Sequence, residues 1–409
     1  MNRTAVPGHS LVLVGGGHAH VEVVRRLGSQ PLPKARVTLV SPAPTTPYSG
    51  MLPGLVAGHY SVEETRVKLR PLCESAGVEF VQAPIHGLDL PRRQILFRDL
   101  PPLPFDTLSL NTGSTPALES IPGANRVGFP IKPVDRFLAS WADQSHQIVD
   151  RAAAGQPTAV VVVGSGAGGV ELLFALRWRL RALAAARPGT FDRISFHLVT
   201  SAEVPLADHG RAVQRLVARA LEHQGIRIHA AHRVVGASDT SLLCANGRRI
   251  PFDALCWALH AAPPPWIDGT GLAVDSMGFI AVSPALQSVS HPDVFAAGDV
   301  AAVLEHPRPK SGVFAVRQGP PLAENLRRAA LGRAPFPFRP RTRALNLITT
   351  GDRHAIASYG PWAMAGRWVW TWKDRIDRRW IRRYQRQPAA GDRSTPAPGS
   401  PAPNRGNPG

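Results

Sequence analysis

The hydrophobic pattern of this chain switches repeatedly between two kinds of run. Leu11–Val14 is unbroken apolar sequence, and His18–Leu27 after it carries apolar residues at helical spacing. Arg36–Val40 ("RVTLV") is a second apolar run. The series restarts at Ala159–Val163 ("AVVVV"), passes through a helical pattern reaching Leu183, and arrives at Ile194–Val199 ("ISFHLV"). Runs this rich in Val and Leu, without polar alternation, predict strands covered on both faces and therefore parallel sheet. Nearer the end, Trp368, Trp372, Ile376, Trp380 and Tyr384 recur every four residues, which predicts an amphipathic helix. Pro388–Gly409 contains no hydrophobic residue larger than alanine and is expected to be disordered.

Glycines sit where each first strand meets its helix. Gly164-Ser165-Gly166-Ala167-Gly168-Gly169 has the spacing of a dinucleotide turn. In such a turn the first glycine allows the bend and the second lets backbone approach a pyrophosphate. The third lets helix and strand pack closely. The earlier turn keeps Gly15 and Gly17 but has His20 in the third place, which reads as a larger packing residue on a slightly displaced helix. Two such units predict an α/β fold with two Rossmann-like dinucleotide-binding domains. Neither second strand ends in the acid that bonds ribose: Ser41 follows Val40, and Thr200-Ser201 follow Val199. A hydroxyl can take over that bond. At the second site the missing carboxylate also removes a repulsion against a 2′-phosphate, so NADH and NADPH both remain open.

Composition adds limits. The 409 residues, 44% of them hydrophobic, suffice for two or three domains. The formal charge of +18 suits an anionic partner, yet only Lys34, Lys68, Lys132, Lys310 and Lys373 among the 47 basic residues are lysine, the mark of a composition bias towards arginine. Cys73, Cys244 and Cys256 form no CxxC pair, which argues against a redox disulfide or a cysteine-rich metal site, and no metal is expected. The first apolar run leads into the glycine turn rather than a signal core, and no run approaches spanning length. These features predict a cytoplasmic protein, soluble or peripheral on the inner face of the membrane.

Further motifs carry a family resemblance. "HPDVFAAGDVA" (His291–Ala301) resembles the second flavin motif of two-dinucleotide-binding flavoproteins, and "SLNTGSTP" (Ser109–Pro116) resembles the turn closing their flavin domain. Residues 10–386 as a whole resemble the pyridine nucleotide-disulfide oxidoreductase superfamily, with type II NADH dehydrogenases as functional relatives. "VTLVSPAPTTPYSGMLPGLVAGHYS" and "PKSGVFAVRQGPPLAENL" resemble a bacterial subfamily, some of whose members are fused ahead of a selenide, water dikinase domain. The resemblance implies an FAD domain from residues 10–125 and 275–340, an NAD(P) domain from 126–274, and a C-terminal region over 341–387. It implies that Gly15, Gly17, Ser41, Gly113, Gly298 and Asp299 serve FAD, and that Gly164, Gly166 and Gly169 serve NAD(P)H.

It also implies that Glu171, in Gly169-Val170-Glu171, and Gln318, in "FAVRQG", stand beside the flavin, with Lys132 reaching the same place from the crossover. Glu171 reads equally as a helix first-turn acid, Gln318 as a helix-entry residue and Lys132 as a hinge lysine. The expected activity is NAD(P)H dehydrogenation through FAD to a small-molecule acceptor, by resemblance a quinone. Two alternatives stand: a flavoprotein handling a selenium or sulfur species, and a nucleotide-binding partner module without redox chemistry.

Residues 366–386 combine the tryptophan stripe with Arg367, Lys373, Arg375, Arg378, Arg379, Arg382, Arg383 and Arg386, against Asp374 and Asp377. Trp and Arg on one amphipathic helix suit an anionic membrane surface. Packing on the protein itself or a homodimer suits the stripe as well. No recognition module accompanies the charge, so nucleic acid is not expected.

Overall fold

The computed structural model describes residues 8–339 and 345–385. The expected disordered tail 388–409 and Arg386 lie outside them. Two five-stranded parallel sheets form the body. The first contains β1 (His9–Val14), β2 (Ala35–Ser41), β3 (Glu79–Gln82), β4 (Thr107–Leu110) and, from much later in the chain, the strand Val294–Ala296. The second contains β5 (Phe129–Pro130), β6 (Thr158–Val163), β7 (Ile194–Val199), β8 (Arg227–His229) and β9 (Ala254–Trp257). With Val294–Ala296 as β10, the strand orders are β10-β4-β1-β2-β3 and β5-β9-β6-β7-β8, so each glycine-turn strand is the centre of its sheet.

The registers place the turns. Val14 lies opposite Val40 and Leu110, and Val163 lies opposite Val199 and Trp257. Both glycine turns therefore open at the carboxyl edge of a parallel sheet, where such folds bind ligands. Leu11, Val12 and Leu13, with Val160, Val161 and Val162, are fully buried. α1 (His18–Ser29) leaves the first turn and α3 (Ala167–Ala184) the second; α2 (Val134–Ala153) precedes β6. The two crossovers touch: Thr115 and Pro116 pair antiparallel with Ala262 and Ala261. This links the segment after Gly113 to that after Leu259-His260.

After β10 comes α4 (Gly312–Ala330). The C-terminal region is an antiparallel sheet of β11 (Asn346–Thr349), β12 (Ala355–Tyr359) and β13 (Trp362–Gly366), running directly into α5 (Arg367–Gln385). It packs on both halves. Ile348 and Ile356 join the core of the second sheet, whereas Trp380, Ile381 and Tyr384 join the core of the first. No helix among the described residues is long and apolar enough to cross a membrane.

The aromatic stripe does not stay on one face. Trp380 and Tyr384 are buried, but Trp368, Trp372 and Ile376 are exposed. Four-residue steps on a helix of 3.6 residues per turn drift by about 40° each. By Trp380 the stripe has rotated onto the protein. Exposed and self-packed members of the stripe thus occupy successive parts of one helix, while Val369, Lys373 and Asp377 between them face the protein.

Candidate active site

The first turn is built around Asn111, just past β4. Gly15 has φ of 95°, and a Cβ there would lie 2.4 Å from the Asn111 carbonyl oxygen. A Cβ on Gly17 would lie 2.1 Å from Asn111 Oδ1. That oxygen accepts the N–H groups of Ala19 (3.2 Å) and His20 (3.4 Å) at the start of α1, while Nδ2 donates to Ala297 O (2.5 Å). One carboxamide joins the turn, the helix start and the strand end before Gly298-Asp299.

His20 is more than a bulky substitute for glycine. Its ring is fully buried, with Nδ1 2.7 Å from Gly15 O and Nε2 2.8 Å from Ser109 Oγ. Burial lowers its pKa to about 4, against a smaller opposing effect of the Gly15 bond. The neutral ring has one N–H, which must face the carbonyl, so Nε2 accepts from the Ser109 hydroxyl. The helix-displacement reading of the sequence is replaced by a bridge between turn and β4. Ser41 is buried at the end of β2 and donates to Ala43 O (3.0 Å). Gly113 has φ of 79° with open space where a Cβ would stand.

In the second turn the three glycines separate by role. Gly164 has φ of 111° and passes so close to Ala258 that a Cβ would lie 2.2 Å from its carbonyl oxygen. A Cβ on Gly169 would lie 2.0 Å from Gly164 O. A Cβ on Gly166 would meet nothing within 4 Å. The protein's own packing demands the first and third glycines but not the second. The space beside Gly166, at the N-terminus of α3, fits a pyrophosphate.

A third group gathers where the Gly-Asp motif meets the crossover before α2. The Gly298 N–H donates to Gln318 Oε1 (2.6 Å) on α4. Lys132 Nζ, from the crossover before α2, reaches Asp299 Oδ2 (2.6 Å) and Ser114 Oγ (3.1 Å). His18, first residue of α1, is close enough to feel both charges. Burial lowers its pKa to about 4, with Asp299 opposing and Lys132 adding to the effect. A cavity of ~370 Å³ adjoins Gly298 and Asp299, lined also by Met277, Arg308, Lys310 and Phe314.

Glu171, on α3, faces the C-terminal region. Its Oε1 accepts the N–H (2.8 Å) and hydroxyl (3.2 Å) of Thr349. Burial raises its pKa, opposed by the charge of Lys373 and by the Thr349 bonds. Lys373 is buried, bonded to Gly50 O (2.5 Å) and Asp377 (2.6 Å). Trp380 stacks on Tyr48 with ring centres 4.0 Å apart, and His18 meets both edge-on. The structure thus joins Lys132, Asp299, Gln318 and Gly298 in one group and sets Glu171 with Lys373 and Thr349.

Sequence reading missed His18, Tyr48, Asn111, Asp377 and the site placement of Lys373. Only the polar residue opening the helix in "GGGHAH" was a local signal. All three cysteines are buried and unpaired. Burial pushes the Cys73 thiol up to about 12, with Glu74 adding to the effect, and burial raises Cys256 as well. Each stays in its thiol form within a core.

Two parallel-sheet nucleotide domains with a flavin-type Gly-Asp at their junction define a two-nucleotide oxidoreductase fold. The pyridine nucleotide-disulphide oxidoreductase family profile matches residues 9–319, and the chain belongs to that family, whose cofactors are FAD and NAD(P)H. The chain is 22% identical over 302 residues to the NADH dehydrogenase-like protein YutJ of Bacillus subtilis, covering 73% of this chain and 78% of that one. Its fold is similar to the sulfide:quinone oxidoreductase of Aquifex aeolicus, with a TM-score of 0.78, 18% identity and coverage of 92% and 91% of the two chains. It is also similar to NDH2 of Plasmodium falciparum in complex with NADH, with a TM-score of 0.74, 14% identity and coverage of 91% and 97%.

Proposed function

We propose that this protein is an FAD-dependent NAD(P)H dehydrogenase that passes electrons to a quinone, working as a peripheral protein on the inner face of the cytoplasmic membrane. The observation that carries the reading is the Lys132–Asp299 contact. It ties the crossover into the second sheet, where the Ile131 N–H bonds Trp257 O, to the Gly-Asp motif that follows β10 of the first. In this reading residues 10–125 and 275–340 form the flavin domain and 126–274 the nicotinamide domain. Gly15, Gly17, Ser41, Gly113, Gly298 and Asp299 hold FAD. Gly164, Gly166 and Gly169 hold the nicotinamide dinucleotide. Bound FAD supplies a carrier that accepts a hydride and releases electrons to the acceptor.

The chain's own residues arrange the charge around that carrier. Lys132 places a cation at the junction, held by Asp299 and Ser114. The N-terminus of α4 adds its partial positive charge, with no side-chain cap bond from Ser311 to satisfy its first N–H groups. Gln318 fixes the Gly298 backbone. A quinone takes up protons as it is reduced. Burial raises the Glu171 carboxyl towards its protonated form, while its Oε1 accepts from Thr349. It lies beside the region bearing exposed Trp362, Trp368, Trp372 and Ile376, with exposed Arg367, Arg375 and Arg379 on the same helix. That aromatic and basic surface supports docking on anionic lipid.

The test is anaerobic addition of NADH or NADPH to the FAD-loaded protein, followed by a soluble quinone. Flavin bleaching and its reversal by quinone are expected. A protein that takes up no FAD, or whose flavin neither nucleotide bleaches, overturns the reading. Lys132→Met is expected to slow bleaching by roughly 10- to 100-fold, measured by stopped flow, because it removes preorganised charge.

A further inference from the structure

The carboxyl edge of the second sheet carries cations where a ribose-binding acid would stand. Thr200 directly follows β7. Its hydroxyl accepts from Ser165 Oγ (2.7 Å) in the glycine turn and from the Ala202 N–H (3.1 Å), so it clamps turn to strand. The chain then folds back beside it. Thr200 N bonds His229 O (3.0 Å), His232 N bonds Thr200 O (2.8 Å) and Ala231 N bonds Ala202 O (2.9 Å). Residues 229–232 therefore form the wall next to Thr200-Ser201. Ala245 N bonds Arg233 O (2.8 Å), which brings the hairpin carrying Arg248 against the same wall.

Every charged neighbour felt there by His229 is basic. Burial first, then Arg248, His232 and Arg227, push its imidazole towards the neutral form. The next carboxylate along the chain, Glu203, is exposed beyond Ala202. His232 Nδ1 donates to Ala230 O (2.6 Å), and its Nε2 is buried with no partner among the described residues. That unpartnered ring nitrogen lies on the segment that walls Thr200.

We infer that the second nucleotide site selects the 2′-phosphorylated dinucleotide, NADPH, and that His232, Arg233 and Arg248 receive its 2′-phosphate. A carboxylate at the strand end selects the free 2′-hydroxyl, and a basic residue nearby accommodates the phosphate. Here no carboxylate directly follows the strand, and two arginines, Arg233 and Arg248, accompany the His232 ring. The inference rests on the NAD(P)H dehydrogenase reading and specifies its substrate.

Calorimetric titration of the FAD-loaded protein with NADP⁺ and with NAD⁺ tests it. NADP⁺ is expected to bind at least about tenfold tighter, a difference of about 1.4 kcal/mol. Added salt should shrink that ratio. Arg233→Ala with Arg248→Ala, both at exposed positions, should bring the two affinities within about threefold while the flavin absorbance is kept. Thr200→Glu should reverse the preference. Equal or tighter NAD⁺ binding by the unaltered protein, with flavin bleaching by NADH, overturns this inference alone. So does a preference for NADP⁺ that survives the double substitution. Failure of both dinucleotides to bind overturns the dehydrogenase reading and this inference with it.

Discussion

Gly166 and Gly169 are three residues apart and serve different masters. Gly169 is fixed by the fold, because any side chain would strike Gly164 O, whereas Gly166 borders open space. Gly169→Ala is therefore expected to lower the melting temperature of the ligand-free protein by several degrees. Gly166→Ala should leave it within about 1 °C and weaken dinucleotide binding instead. Thermal unfolding beside NADP⁺ titration separates the two. The sequence showed both glycines by spacing alone and assigned them the roles of their pattern. It did not show what His20 does, because the Ser109 partner is 89 residues away and only the sheet brings it near. His20→Ala should cost roughly 2–4 kcal/mol in denaturant unfolding, since it leaves two buried polar partners unmet and removes ring volume.

At the scale of elements, α5 shows why periodicity identifies a helix more securely than its environment. The four-residue recurrence of aromatics was legible. Which of them face the protein was not, because the drift of the stripe matters only once a partner surface is known. Buried polar residues of α5 complete the contact. Tyr384 donates to Glu22 (2.8 Å), a carboxylate that burial would raise but that Arg25, Arg26 and Tyr384 hold at about 2. Trp380→Ala is expected to destabilise the fold by about 3–5 kcal/mol, and Trp372→Ala by less than about 0.5. Flotation with anionic liposomes should respond in the opposite order, falling for Trp372→Ala when tested at a temperature where both variants are folded.

Across the whole molecule, the repeated strand–turn–helix–strand series was enough to read the parallel pair at the heart of each sheet, β1 with β2 and β6 with β7, because strands buried on two faces leave long apolar runs. The return of β10 to the first sheet rested on motif resemblance, since three residues carry little pattern of their own. Buried histidines give the assembled molecule a pH signature. His18, His20 and His197 are each held at about 4 chiefly by burial, below the ordinary value of about 6.5. The unfolded chain therefore binds their protons first. Their stabilisation is complete above about pH 6.5 and is lost as pH falls towards 4. Glu171 and Asp377, raised by burial, work in the opposite direction as they take up protons. Burial pushes His59, His209 and His229 down as well. With six histidines against two acids, the melting temperature is expected to plateau above about pH 7 and fall between about 6.5 and 4, as calorimetric scans would show.

The closing helix also bears on portability. Its exposed face has the look of a detachable tag, but its buried face supplies Trp380 to the ring stack with Tyr48 and His18, and Lys373 to the Gly50 carbonyl. Grafted onto an unrelated carrier, the segment would leave Lys373, Asp377 and Trp380 without the surfaces that shelter them. Trimmed from its own chain, it would open a wall of the junction to water. In the proposed reading, the lipid-docking surface and the packing around Tyr48 and His18 are inherited as one piece, and neither can be exchanged by cutting the chain at residue 366.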